Sequence, residues 1–146
     1  MNIQTISKAN PFMPNNDNLS KTVRLQRIEN KLKTGGKLSG PEMEYLRANS
    51  PDMYKDAMKI EREREEYRRA LEQCRTKEEA HFVHTIRTQH FVAAAKAAPN
   101  DSSIPLRIAA TFNEFIDFLK SEKYSSLPRE RQLREEKIKA FPPYTS

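Results

Sequence analysis

Apolar residues along this chain recur at intervals of three and four, the spacing that gathers them on one face of an α-helix. Leu25, Ile28 and Leu32 set the pattern over residues 19–33, with Arg24, Arg27 and Lys31 as a ridge beside them. Met43, Tyr45 and Leu46 continue it in a short second segment, 41–49. A third helix is expected from residue 51 to about 73, where Ile60, Tyr67, Leu71 and Cys74 follow a seven-residue seam that Arg64 interrupts, two heptads of coiled-coil character. Phe82, Ile86, Ala93 and Ala97 form the apolar face of a fourth, over about 77–98. The fifth, about 104–120, has the clearest core signal: Ile108, Phe112, Phe115, Ile116 and Leu119 share one face, with Phe118 at its margin. Burying such side chains contributes roughly 1.5 to 3 kcal/mol each, which places this helix at the centre of the core. A last, mostly charged helix follows Ser125-Ser126-Leu127-Pro128 and runs to about residue 141.

The boundaries carry their own chemistry. Ser50-Pro51 reads as a start, since serine can cap exposed amides and proline suits the first helical position. Thr76-x-x-Glu79 matches a capping box, and Pro99-Asn100-Asp101 stops the fourth helix. No glycine or proline separates the third helix from the fourth, so residues 51–98 are either one rod or a hairpin. The stretch KTGGKLSG, residues 33–40, holds all three glycines and asks whether it grips phosphate. A Walker loop needs Gly-x-x-x-x-Gly-Lys-Ser/Thr between a strand and a helix. Here Leu38 stands where the hydroxyl is required, Lys31 occupies the place of the first glycine, and a helix precedes the loop. A helix stop and restart accounts for the residues instead: a left-handed glycine ends the first helix, Leu38 and Met43 staple, and Ser39-x-x-Glu42 caps the next.

Composition narrows the picture. About a fifth of the residues are Leu, Ile, Val or Phe, a lean core for 146 residues. The net charge of +6 is concentrated early: Lys8, Lys21, Arg24, Arg27, Lys31, Lys33 and Lys37 face only Asp17 and Glu29 before residue 38. Acids and bases balance over residues 52–75, where pairs four apart such as Arg62 with Glu66 and Glu65 with Arg69 are worth about 0.2 to 0.5 kcal/mol each. The single Cys74 excludes an intramolecular disulfide and suits a reducing compartment. The amino terminus lacks the basic and apolar regions of a secretory signal, and no stretch nears the roughly 18 apolar residues of a membrane span. A cytoplasmic protein is expected.

Chemistry is sparse. Glu78, His81 and His84 are spaced three apart, but a diiron bundle needs a second Glu-x-x-His, and no His-Glu-x-x-His is present for zinc. No metal or other cofactor is expected. His90 falls on the apolar side of its helix and reads as a core or boundary histidine. Cys74, on the seam with Tyr67 and Leu71, reads as a small core residue. Asn10-Pro11-Phe12 matches a three-residue adaptor ligand too short to carry weight, and the terminal FPPYTS is not a Pro-Pro-x-Tyr ligand, since Tyr144 directly follows Pro143. With three glycines and no G-x-S-x-G elbow the chain offers little for an oxyanion hole, and no enzyme activity or small-molecule substrate is expected.

The resulting expectation is an all-α fold, a small antiparallel helical bundle with a long charged helical hairpin and flexible termini: a tail over 1–18, one helical domain over 19–141 and a second tail over 142–146. Its function is expected to be that of a protein–protein interaction module, an adaptor or accessory subunit meeting another protein or a second copy through helices. The alternative is weak, salt-sensitive nucleic-acid binding through Arg24, Arg27, Lys31, Lys33 and Lys37, a basic cluster that would equally suit an acidic partner.

Overall fold

The computed structural model describes residues 16–140, with side chains from residue 19. Of the expected tails over 1–18 and 142–146, residues 1–15 and 142–146, with Asn10-Pro11-Phe12 and FPPYTS, lie outside the described residues, while residues 16–18 belong to the first helix. Seven helices and no strand are present among the described residues: α1 (Asn16–Lys33), α2 (Gly40–Asn49), α3 (Pro51–Glu72), α4 (Lys77–Ala97), α5 (Ser103–Leu119), α6 (Glu122–Ser126) and α7 (Glu130–Ala140). The fold is all-helical, and α5 packs against α1, α3, α4 and α6, which gives it the central place expected of it.

Local sequence explains most boundaries. α1 ends in a Schellman motif: Gly35 N–H donates to the Leu32 carbonyl, Gly36 N–H to that of Lys31, and Gly35 takes a φ of 79°. The capping box then starts α2, with Glu42 N–H donating to Ser39 Oγ at 3.2 Å and Ser39 N–H to Glu42 Oε1 at 2.9 Å. Thr76 caps α4 by accepting from Glu79 N–H at 3.0 Å, while the Glu79 carboxylate accepts from Arg75 N–H, one residue earlier than a capping box requires. Ser50 departs from expectation. Its side chain makes no cap hydrogen bond; its backbone N–H instead closes α2 on the Leu46 carbonyl. At α5 the cap is Asp101, whose carboxylate accepts from Ser103 N–H and Oγ at 2.9 and 2.7 Å.

After α3 the chain turns back. Tyr67 reaches His84 and Arg87 on α4, so residues 51–98 do not form one rod. His81 and His84 then meet Phe115, and Phe91 meets Arg107, so α5 reverses again and runs in the same sense as α3.

The core has two parts. One gathers Ile28 and Leu32 of α1, Leu46 of α2, Ala57 and Ile60 of α3 and Ala110 of α5. The other gathers Tyr67, Leu71 and Cys74 with Ala80, Phe115, Phe118 and Leu127. Between them lies a polar belt. Arg64 and Glu114, both about 5% exposed, face each other at 3.8 Å, and Arg107 pairs with Glu63 at 2.8 Å. The seam on α3 is thus buried along its length, Arg64 included.

Candidate functional site

The basic residues of α1 and its loop are largely answered within the chain. Lys31 bonds Glu42 at 2.7 Å and Lys33 pairs with Glu29 at 3.3 Å, while the Arg24 guanidinium lies 4.3 Å above the Tyr45 ring. The Lys31 ammonium and the Ser39 amide hold the Glu42 carboxyl below its ordinary range. Arg27 and Lys37 are exposed and make no ion pair among the described residues, although the Lys37 charge acts on Glu114. Arg24 and Arg27 do line one shallow hollow with Leu19 and Val23. The five residues are therefore not gathered into one open cationic surface.

The KTGGKLSG loop is clamped from below. Arg64 Nη2 donates to the Gly35 carbonyl at 2.9 Å and to that of Gly36 at 3.3 Å, and Asn113 Nδ2 donates to the Thr34 carbonyl at 2.8 Å. Its carbonyls, not its amides, are engaged by a cation, the opposite polarity from a phosphate loop. Arg64 Nε and Glu114 Oε2 find no hydrogen-bond partner, and burial raises the Glu114 pKa despite the neighbouring Lys37 and Arg64. The sequence marks Arg64 only as a break in the apolar seam of α3, and nothing in it pairs that residue with Glu114, one of three charged residues in the otherwise apolar α5.

The histidines separate. His81 Nε2 lies 3.0 Å from Tyr124 Oη, and His84 Nδ1 2.6 Å from Tyr67 Oη, with the His84 ring stacked on Phe115 at 4.0 Å. Burial depresses the His84 pKa, with His81 adding to the effect, and burial raises that of Tyr67, so both shifts favour a neutral phenol sharing this short hydrogen bond with a neutral ring. His90 is exposed, not the core or boundary residue expected of it, because α4 buries the side that carries Ala80 and Phe91. No group of three potential metal ligands forms among the described residues. Cys74 is buried and donates to the Ala70 carbonyl at 3.3 Å; burial pushes its thiol pKa up, away from a reactive thiolate.

The largest departure from expectation is apolar. Phe82 and Ile86, expected in the core, are 64% and 49% exposed, and Phe112 and Ile116 of α5 are each 44% exposed. Both helices are turned relative to their apolar stripes. α5 presents Ala110, Glu114 and Phe118 to its neighbours, and α4 presents Ala80 and Phe91. Periodicity locates a stripe but not which edge of it the neighbouring helices will cover. One result is a cleft of about 340 Å³ between α4 and α5, lined by Thr88, Phe91, Val92, Ala95, Ile108 and Phe112. Its walls are largely carbon, with Thr88, Thr111 and Lys96 also lining it, so it can hold apolar side chains. No helix among the described residues is long and apolar enough to cross a membrane. No protein-family model, curated protein or solved structure matches the chain.

Proposed function

We propose that this chain is a non-enzymatic protein–protein interaction module, an adaptor or accessory subunit of the cytoplasm, which takes the apolar side of a partner's amphipathic helix into the cleft between α4 and α5. One observation carries the reading: the cleft is floored by Phe91 and Ile108 and edged by Val92 and Phe112, which stay 51% and 44% exposed while the fold buries Glu114 and Arg64. A fold that places charge inside and large apolar side chains outside gives up burial worth about 25 cal/mol per Å². Two adjacent helices with an apolar groove between them suit a third helix, whose residues at i, i+3, i+4 and i+7 supply the anchors.

The test uses the full chain in its native cell. A photo-cross-linking amino acid in place of Val92 is expected to capture a defined helical segment of one protein, and Val92→Asp is expected to weaken binding of that protein at least about tenfold. Val92 is half exposed, so the substitution leaves the fold intact. Equal affinity of the Val92→Asp chain and the unaltered chain for the cross-linked protein, or no cross-linked protein at position 92, would remove the proposal.

A further inference from the structure

A second surface lies on the far side of α4. From Ala80 to Ala95 the only formally charged residue is Arg87, and its guanidinium is turned inward, 5.3 Å from the centre of the Tyr67 ring. Phe82, Thr85, Ile86, Gln89, His90, Ala93 and Ala97 are all exposed, in a chain whose residues are 32% charged. At 100° per residue Phe82, Ile86, Gln89, Ala93 and Ala97 fall within an arc of about 80°. A helix whose outward face carries no charge from Phe82 to Ala95, with Lys96 at its edge, is suited to being covered on that side as well as the inward one.

We infer that a second copy of this chain covers it, the two α4 helices packing antiparallel across a two-fold axis that passes between Gln89 and His90. The order of side-chain sizes carries the assignment. Along the face run two bulky residues, Phe82 and Ile86, then the polar Gln89 and His90, then two alanines, Ala93 and Ala97. Reversed, this series is its own complement. The two-fold axis sets Phe82 opposite Ala97 of the second copy and Ile86 opposite Ala93, bulky against small, as close helix packing requires. It also sets Gln89 opposite His90, so the two polar side chains nearest the axis can hydrogen-bond to each other. A parallel pairing would set Phe82 on Phe82 and alanine on alanine, crowded at one end and hollow at the other.

Charge points the same way. Each copy carries +6, and two such chains repel least where charge is sparse, as on this face of α4, where between Phe82 and Ala97 only the inward-turned Arg87 and Lys96, beside Gln89 at the edge of the face, are charged. The contact is about 24 Å long. It covers roughly half of the ~800 Å² that each partner gives to a standard interface, so the dimer is expected to dissociate on dilution. This face is separate from the α4–α5 cleft, and the inference does not depend on a partner helix binding there.

Sedimentation equilibrium of the full chain is expected to show a reversible monomer–dimer equilibrium, with Ile86→Glu raising the dissociation constant at least about tenfold and leaving helical content unchanged. A mixture of Ile86→Cys and Ala93→Cys chains is expected to form disulfide-linked heterodimers on mild oxidation, whereas Phe82→Cys alone is expected to form none. A chain that stays monomeric at several hundred micromolar would overturn the inference. So would cross-linking of Phe82→Cys to itself, or a dimer that survives Ile86→Glu and is lost with Val92→Asp, which would put self-association in the cleft.

Discussion

Gly35 combines a φ of 79° with a position where a Cβ would collide with the Ala109 carbonyl and lie 2.8 Å from Asn113 Nδ2. Gly40, five residues on, has open space around it at the start of α2. Gly35→Ala is therefore expected to lower unfolding free energy by at least about 2 kcal/mol in urea titrations, the left-handed backbone alone costing 1 to 2. Gly40→Ala is expected to leave it unchanged or raise it by up to about 1 kcal/mol. Equal effects at the two sites would show that Gly35 does not hold α1 and α5 together. That a glycine ends α1 is legible from KTGGKLSG, since only glycine takes this conformation freely. What the loop rests on is not, because the Arg64 guanidinium and the Asn113 amide reach Thr34, Gly35 and Gly36 from far along the chain.

Helix starts give a sharper comparison, because two serines that look alike in sequence behave differently. Ser39→Ala removes a hydroxyl that accepts from Glu42 N–H and is expected to cost about 1 kcal/mol. Ser50→Ala removes one with no capping bond and is expected to cost less than about 0.5 kcal/mol by the same denaturant measurement. The difference arises because Ser50 already serves α2, its N–H on the Leu46 carbonyl, and its φ of −151° and ψ of 81° leave the hydroxyl away from the first turn of α3. Helix existence was legible for every long element, and α1 needed only an earlier start, at Asn16. The five-residue α6 was not, since Glu122–Ser126 is too short to show a period and forms where Ser121 caps it. Helix orientation was legible for α1, where Ile28 and Leu32 are buried as spaced, but not for α4 and α5, whose exposed edges depend on how three helices share one another's surfaces.

At the scale of the whole molecule, two apolar clusters hang on α3 and α5, and the second has a titrating group at its edge. His84 is held neutral between Tyr67 and Phe115, with Phe112 edge-on and His81 and Arg87 as its charged or chargeable neighbours. Its pKa is depressed in the fold, so the stability it contributes is present above about 6.5 and is lost as pH falls below that value, where the unfolded chain takes up the proton first. The melting temperature is expected to drop between pH 7.5 and 5.5, and to drop less in His84→Gln; equal slopes would show that His84 carries none of the pH dependence. Glu42, Glu78 and Asp101, whose pKa values are lowered by their partners, bring further losses at more acidic pH, outside that window. Between the clusters, the Arg64–Glu114 contact acts as a detent on two rods. Sliding α5 by one turn along α3, about 5.4 Å, would bring Ala110 or Phe118 to the place of Glu114 and leave the buried Arg64 charge facing carbon on α5, with only the Gly35 and Gly36 carbonyls and Glu61 beside it. The pair thereby indexes the helices at a single notch, which sets the spacing between the cleft wall on α5 and everything α3 carries.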